Sequence, residues 1–160
     1  MTTRDISNLG IDSLTKARAF FGTQHPLFKS FSVEINHVHN GHSEMTMPFS
    51  ATLADGRGAL HRGVMVTLLD SCCGLSIFSA LGTMQPIATI DLRVDFLQEI
   101  PPATALIAVI DYVGRTPSIA YITGKAFAVG SHDPVATVAG SFAIGTMGPA
   151  FDSSIGDSVK

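Results

Sequence analysis

One carboxylate stands out in the chain's longest apolar run. Asp70 sits within GVMVTLLDSCCGLSIFSAL, Gly63 to Leu81, a stretch otherwise made of aliphatic, sulfur-bearing and small residues. Read as a helix at 100° per residue, the run places Thr67, Asp70, Ser71 and Gly74 in one sector, while Met65, Leu68, Leu69, Cys72 and Leu75 fill much of the rest. One face is therefore small and polar. Glycine weakens a helix by ~1 kcal/mol relative to alanine, so Gly74 beside Asp70 predicts a close approach there by a ligand or a second helix. A carboxylate buried without a cation becomes a stronger base, which suits general-base or nucleophilic work. The competing reading is an Asp bonded to a backbone group or a Lys at a subunit interface.

Immediately before this run stand Ala59, Leu60, His61, Arg62 and Gly63. The first N–H groups of a helix lack internal acceptors, and the helix dipole favours negative charge beside them. The N–H groups of Arg62 and Gly63 are thus candidates to stabilise an oxyanion formed by attack on a carbonyl. Along one helix, Gly63 and Asp70 are separated by ~10 Å at ~1.5 Å per residue, too far to serve one carbonyl. A site using both must draw the helix start from one subunit and Asp70 from another, which predicts an obligatory dimer with two equivalent sites.

The rest of the chain must hold these groups in place. Its 160 residues suit one domain, and 46% apolar against 14% charged residues predicts extensive burial within and between subunits. Ten Lys and Arg, with no basic run, argue against nucleic acid and anionic membrane and favour a small-molecule partner. Thr67, Asp70, Ser71 and Ser76 interrupt the one run of membrane-spanning length, so a buried helix is expected there. The start MTTRDISNLG lacks the apolar centre of a secretory signal, which makes the cytoplasm the expected location. Cys72 and Cys73, adjacent on one helix, point to different faces and are expected to be reduced core residues.

Pattern changes along the chain outline the elements. Asp12 or Ser13 caps a short amphipathic helix over about 12–21. SFSVEINHV and EMTMPFS alternate on either side of His39-Asn40-Gly41 and predict a hairpin, with Met45 and Met47 in the core. An aperiodic stretch from Ala51 to Leu60 leads to the long helix, which closes at Gly82. Four further β-like blocks follow: IATIDLRVDFL, ALIAVIDYVG, SIAYITGKAFAV and VATVAGSFAIGTM. The order predicts an α+β fold, one antiparallel sheet curved around a long central helix. Residues 1–147 form a single domain in this reading, and 148–160 a flexible tail. His37, His39 and His42 flank the hairpin turn, with no carboxylate or cysteine to complete a metal set, so neither metal nor cofactor is expected.

The run Gly58-Ala-Leu-His61-Arg-Gly63-Val-Met-Val-Thr-Leu-Leu-Asp70, followed by Ala88-Thr89-Ile-Asp91-Leu-Arg-Val-Asp-Phe96-Leu, resembles the hotdog-fold acyl-CoA thioesterases of the PaaI-like (phenylacetate-pathway) group. The resemblance spans roughly Phe31 to Thr146, and the nine-residue spacing from His61 to Asp70 matches the family pattern. It implies a hotdog fold and Asp70 as nucleophile or general base toward a thioester, with water as final acceptor. It also implies an oxyanion donor at Arg62 or Gly63, Thr89 orienting the attacking water, Arg115 meeting the CoA phosphates, and a homotetramer built of two dimers. His61 is read as a structural or capping residue rather than a proton carrier.

Two positions depart from the family. Asp55 stands where relatives carry Asn, and an ionised Asp cannot donate a hydrogen bond. It could be protonated, hold Arg57 or Arg62, or sit in a solvated loop. Arg62 replaces the first glycine of a His-Gly-Gly, and its side chain is expected on a CoA phosphate, on Asp55, or in solvent. The resulting expectation is an acyl-CoA thioesterase, with CoA part of the substrate and the acyl group left open. The alternatives are a non-catalytic acyl-CoA-binding protein and, on the same fold, a hydratase or dehydratase, which would need a His and carboxylate pair placed differently.

Overall fold

The computed structural model describes residues 26–83 and 85–146. The helix expected over 12–21 and the tail 148–160 lie outside the described residues. The first described element is a helix the sequence pattern did not indicate, α1 (Pro26–Phe31). Pro26 suits a first helical position, where its missing N–H is no loss. The β pattern expected from Ser30 therefore starts later, after Ser32 turns the chain at φ 51°.

Strands β1 (Glu34–His39) and β2 (His42–Met47) form the expected hairpin. Asn40 and Gly41 both take positive φ, 47° and 85°, as a tight two-residue turn requires. Gly41 is fixed by space as well, since a Cβ there would lie 2.9 Å from Tyr112 Cβ.

After a 3-10 turn at Ala51–Leu53 comes helix α2 (Arg62–Leu81), terminated by Gly82, which is left-handed at φ 66° and donates its N–H to Phe78 O. Strands β3 (Ile87–Phe96), β4 (Leu106–Arg115), β5 (Ile119–Ala128) and β6 (Pro134–Ile144) complete one antiparallel sheet in the order β1-β2-β4-β5-β6-β3. α2 packs across β4, β2 and β5. Met45 and Met47 from β2, Leu68, Leu69, Cys72 and Ile77 from α2, and Leu106 and Ile110 from β4 are fully buried between them. Burial of each large side chain contributes about 1.5–3 kcal/mol. This is the curved sheet around a central helix expected of a hotdog fold.

By length and composition α2 is apolar enough to cross a membrane, despite its interrupting polar residues; here 56% of its most apolar stretch is buried within the protein. Cys72 and Cys73 are free and buried, as expected of core thiols.

The topology sends the chain from α2 directly into β3, which pairs only with β6 and leaves its other edge unpaired among the described residues. A bulge between Thr89 and Asp91 interrupts the ladder at Ile90. Ile90, Phe96 and Leu97, on or just beyond this edge strand, are exposed.

Candidate active site

α2 and β3 together position Asp70. Thr89 stands on β3, opposite the buried Phe142 of β6. From there Thr89 Oγ1 donates a 2.9 Å hydrogen bond to Asp70 Oδ1. The bulge begins one residue later, re-aiming the strand beside the site. Among the described residues nothing donates to Asp70 Oδ2. Asp70 is half-buried rather than enclosed, so the burial anticipated from the apolar run is incomplete in the single chain.

The other polar members of its sector turn away from chemistry. Thr67 Oγ1 donates to Gly63 O at 3.1 Å, and Ser71 Oγ to Thr67 O at 2.6 Å, both bonds back into the helix. The close approach anticipated at Gly74 is made by the chain's own β3, with Ile87 Cδ1 3.4 Å from where a Cβ would sit. Burial pushes the Cys72 thiol up to about 12 and Cys73 well above its ordinary value, which keeps both protonated.

At the start of α2, His61 is the N-cap. Its Nδ1 accepts the Gly63 N–H at 3.0 Å. That contact corrects the expectation for Gly63, because its N–H is already occupied. The Arg62 N–H has no acceptor among the described residues and is the open donor. The Arg62 side chain lies with its Cζ 4.8 Å from the centre of the Phe96 ring and does not reach Asp55, the second of its expected contacts.

Asp55 belongs to a closed network. Its Oδ1 accepts the backbone N–H groups of Arg57 at 2.9 Å and Ala59 at 3.3 Å, and its Oδ2 accepts Arg57 Nε at 3.1 Å and NH2 at 2.8 Å. Arg57 NH1 reaches across to Glu99 at 2.9 Å. The Arg57 side chain, and then its backbone N–H, hold the Asp55 carboxyl below the usual carboxylate range. Asp55 is therefore ionised and bound to Arg57, which excludes the protonated and free readings. A further bond, Ala103 N–H to Gly58 O at 2.9 Å, ties the same two loops together.

Arg115 is exposed at the end of β4 and makes no ion pair among the described residues. Register carries Arg115 to Ala120, Phe142 and Thr89 in one row across four strands. At ~4.8 Å per strand, Arg115 and Thr89 stand ~14 Å apart.

Sequence reasoning missed Phe96 and Glu99, because each meets its partner only through the tertiary fold. It also found no carboxylate near the hairpin histidines, where the structure places two. His42 Nδ1 lies 2.7 Å from Asp111 Oδ1 and Nε2 3.2 Å from Glu44 Oε1. Chiefly through the Asp111 bond, His42 is raised above its ordinary value. The two-residue spacing of His42 and Glu44 on one strand face was the available signal for half of this cluster. Among the described residues no group of His, Cys, Asp and Glu is arranged to hold a metal.

The chain has counterparts among known proteins. Residues 57–128 match the family described as the thioesterase superfamily. A Halobacterium salinarum protein, provisionally named as an esterase, is 30% identical over 104 residues, covering 62% of this chain and 69% of its own. The E. coli PaaI protein from the phenylacetic acid degradation operon superposes with a TM-score of 0.74 at 17% identity, over 85% of this chain and 95% of that one. A thioesterase family protein from Silicibacter pomeroyi gives 0.73 at 23% identity, over 84% and 96%.

Proposed function

The chain belongs to the thioesterase superfamily, and from that premise we propose that it hydrolyses acyl-CoA thioesters to free acid and CoA, with Asp70 as the catalytic carboxylate. The observation that carries this reading is the Thr89–Asp70 pair. One carboxylate oxygen is held by the hydroxyl, while the other has no donor among the described residues and is available to a water or to the thioester carbon. As general base, Asp70 takes a proton from water as it attacks the carbonyl and returns it to the CoA sulfur as the C–S bond breaks; as nucleophile, it displaces the CoA thiolate to form an anhydride that water then opens, the water's proton going to the thiolate. Thr89 positions the carboxylate and, with its own lone pairs, the water.

The Arg62 N–H serves as oxyanion donor, from the neighbouring subunit. Two features of the fold support that assignment. Arg62 and Asp70 are eight residues apart on one helix, or ~12 Å. Moreover, Asp70 is tied to the Thr89 end of β3 and Arg62 to the Phe96 end. Two β3 edges paired antiparallel about a two-fold axis would bring one protomer's Phe96 end beside the other's Thr89 end. The unpaired edge, with Ile90 56%, Phe96 41% and Leu97 52% exposed, is suited to such pairing. The dimer is thus part of the catalytic unit, and a tetramer of two dimers is the expected assembly. Arg115 is assigned to the CoA moiety, and the protein to the cytoplasm.

Free-thiol release from a panel of acyl-CoAs, by wild type and Asp70→Asn at equal oligomeric state, tests the reading. Turnover by wild type and its loss in the variant are expected. Tight CoA binding without turnover of any thioester would instead favour a non-catalytic acyl-CoA-binding protein.

A further inference from the structure

Arg62 occupies an electrostatically adverse position. It is the first residue of a 20-residue helix whose first turn carries no acidic side chain, so its charge adds to the positive end of the helix dipole. Arg57 and Arg93 each pair with a carboxylate, whereas Arg62 has no ion pair among the described residues. What holds it is the Phe96 ring, 4.8 Å from Cζ to centroid. A cation–π contact of this kind consumes none of the guanidinium N–H groups, which make no hydrogen bond or ion pair among the described residues and can take a carboxylate in bidentate fashion. The side chain is therefore anchored without being neutralised.

Its reach limits what that edge can meet. With the Arg62 N–H on the thioester oxygen, the guanidinium lies within about 7 Å of its own Cα, given ~1.2 Å of extension per bond. The pantetheine arm of CoA puts about thirteen bonds between sulfur and the first phosphorus, or ~16 Å when extended at the same rise. A phosphate on the same extended substrate is out of range, whereas atoms a few bonds beyond the thioester carbonyl are within it.

Building on the thioesterase reading, we infer that Arg62, anchored on Phe96, is a specificity residue that selects acyl groups carrying a carboxylate a few bonds from the thioester, the half-thioesters of short dicarboxylic acids. The acyl carboxylate takes the open edge of the guanidinium while the thioester oxygen takes the backbone N–H of the same residue. Two contacts from one residue then fix both ends of a short acyl chain.

The test compares kcat/KM for succinyl-CoA and glutaryl-CoA with that for butyryl-CoA, in wild type, Arg62→Gln and Phe96→Leu. Wild type is expected to favour the anionic substrates by at least tenfold, and Arg62→Gln to remove that ratio. Phe96→Leu, which releases the anchor but keeps the charge, is expected to narrow it through a higher KM for the anionic substrates. Repeating the series with N-acetylcysteamine thioesters, which lack the CoA phosphates, separates the two anion sources. A preference that survives there belongs to the acyl carboxylate. If the effect of Arg62→Gln disappears with the phosphates, Arg62 reads CoA and the inference is overturned. Equal turnover of anionic and neutral substrates, unchanged in ratio by Arg62→Gln, also overturns it while leaving the thioesterase reading intact. Absence of turnover on every thioester refutes that reading itself.

Discussion

Asp70 and Asp55, the two carboxylates that the sequence brings forward, are held in opposite ways. Asp70 receives one hydrogen bond, from Thr89, and keeps an oxygen without a donor among the described residues. Asp55 receives four, three from Arg57 and one from Ala59, and has no capacity left for a substrate. A carboxylate saturated by its own chain builds a loop, whereas one with a spare oxygen is equipped to act. The difference lies in neighbours, since the two side chains are chemically identical.

Four measurements break or sharpen this contrast. The largest effect is expected for Asp70→Asn, which retains shape but loses the base: a fall of about 10²–10⁴ in kcat with an unchanged melting temperature. Activity within a fewfold of wild type would remove Asp70 from the chemistry. Next, Thr89→Val should lower kcat by about tenfold and Thr89→Ser should restore it, since a hydrogen bond to a charged group is worth roughly 1.5–3 kcal/mol before exposure reduces it. Equal losses in both variants would mean that the strand, not the hydroxyl, matters.

Asp55→Asn installs the residue that the family resemblance places there, so the two readings of this position diverge most clearly in that variant. If Asp55 serves the loop alone, the variant loses the Arg57 ion pair, and kcat/KM is expected to drop about fivefold together with the melting temperature. The folded-state carboxyl lies below its usual range, so the pair's contribution is present above the ordinary carboxylate pKa and lost as pH falls through the lower, folded value. The drop in melting temperature should accordingly be larger at pH 7 than at pH 3. A rise in activity on substitution would show that position 55 faces the substrate after all.

The smallest effect is expected at the hairpin. His42 is raised by Asp111 and Glu44, so its contribution is full below the ordinary histidine pKa and lost as pH rises through the higher, folded value. Because these side chains are 34% to 61% exposed, screening keeps the gain below about 1 kcal/mol. Melting of His42→Asn against wild type at pH 5.5 and pH 9 should show a difference at the lower pH only.

Features governed by local rules were legible in the residues. The hairpin turn followed from Asn40 and Gly41, the helix from its length and its Gly82 stop, and the four later strands from alternation, with boundaries correct to within a few residues. α1 was missed because six residues opening on proline carry little periodicity. Of the site, the distance between Arg62 and Asp70 could be read directly, because a helix converts residue count into length.

What occupies each polar group could not be read that way. The Gly63 N–H proved to be capped by His61, a choice made by one side-chain rotamer. Asp55 closed on Arg57 rather than Arg62, Arg62 lay over a ring 34 residues further along, and His42 met an Asp 69 residues away. Sequence alone determined which groups exist and how far apart they lie along each element. Only the packed fold decided which were satisfied and which remained open, because hydrogen bonds and ring contacts depend on three-dimensional neighbours that the order of residues does not specify.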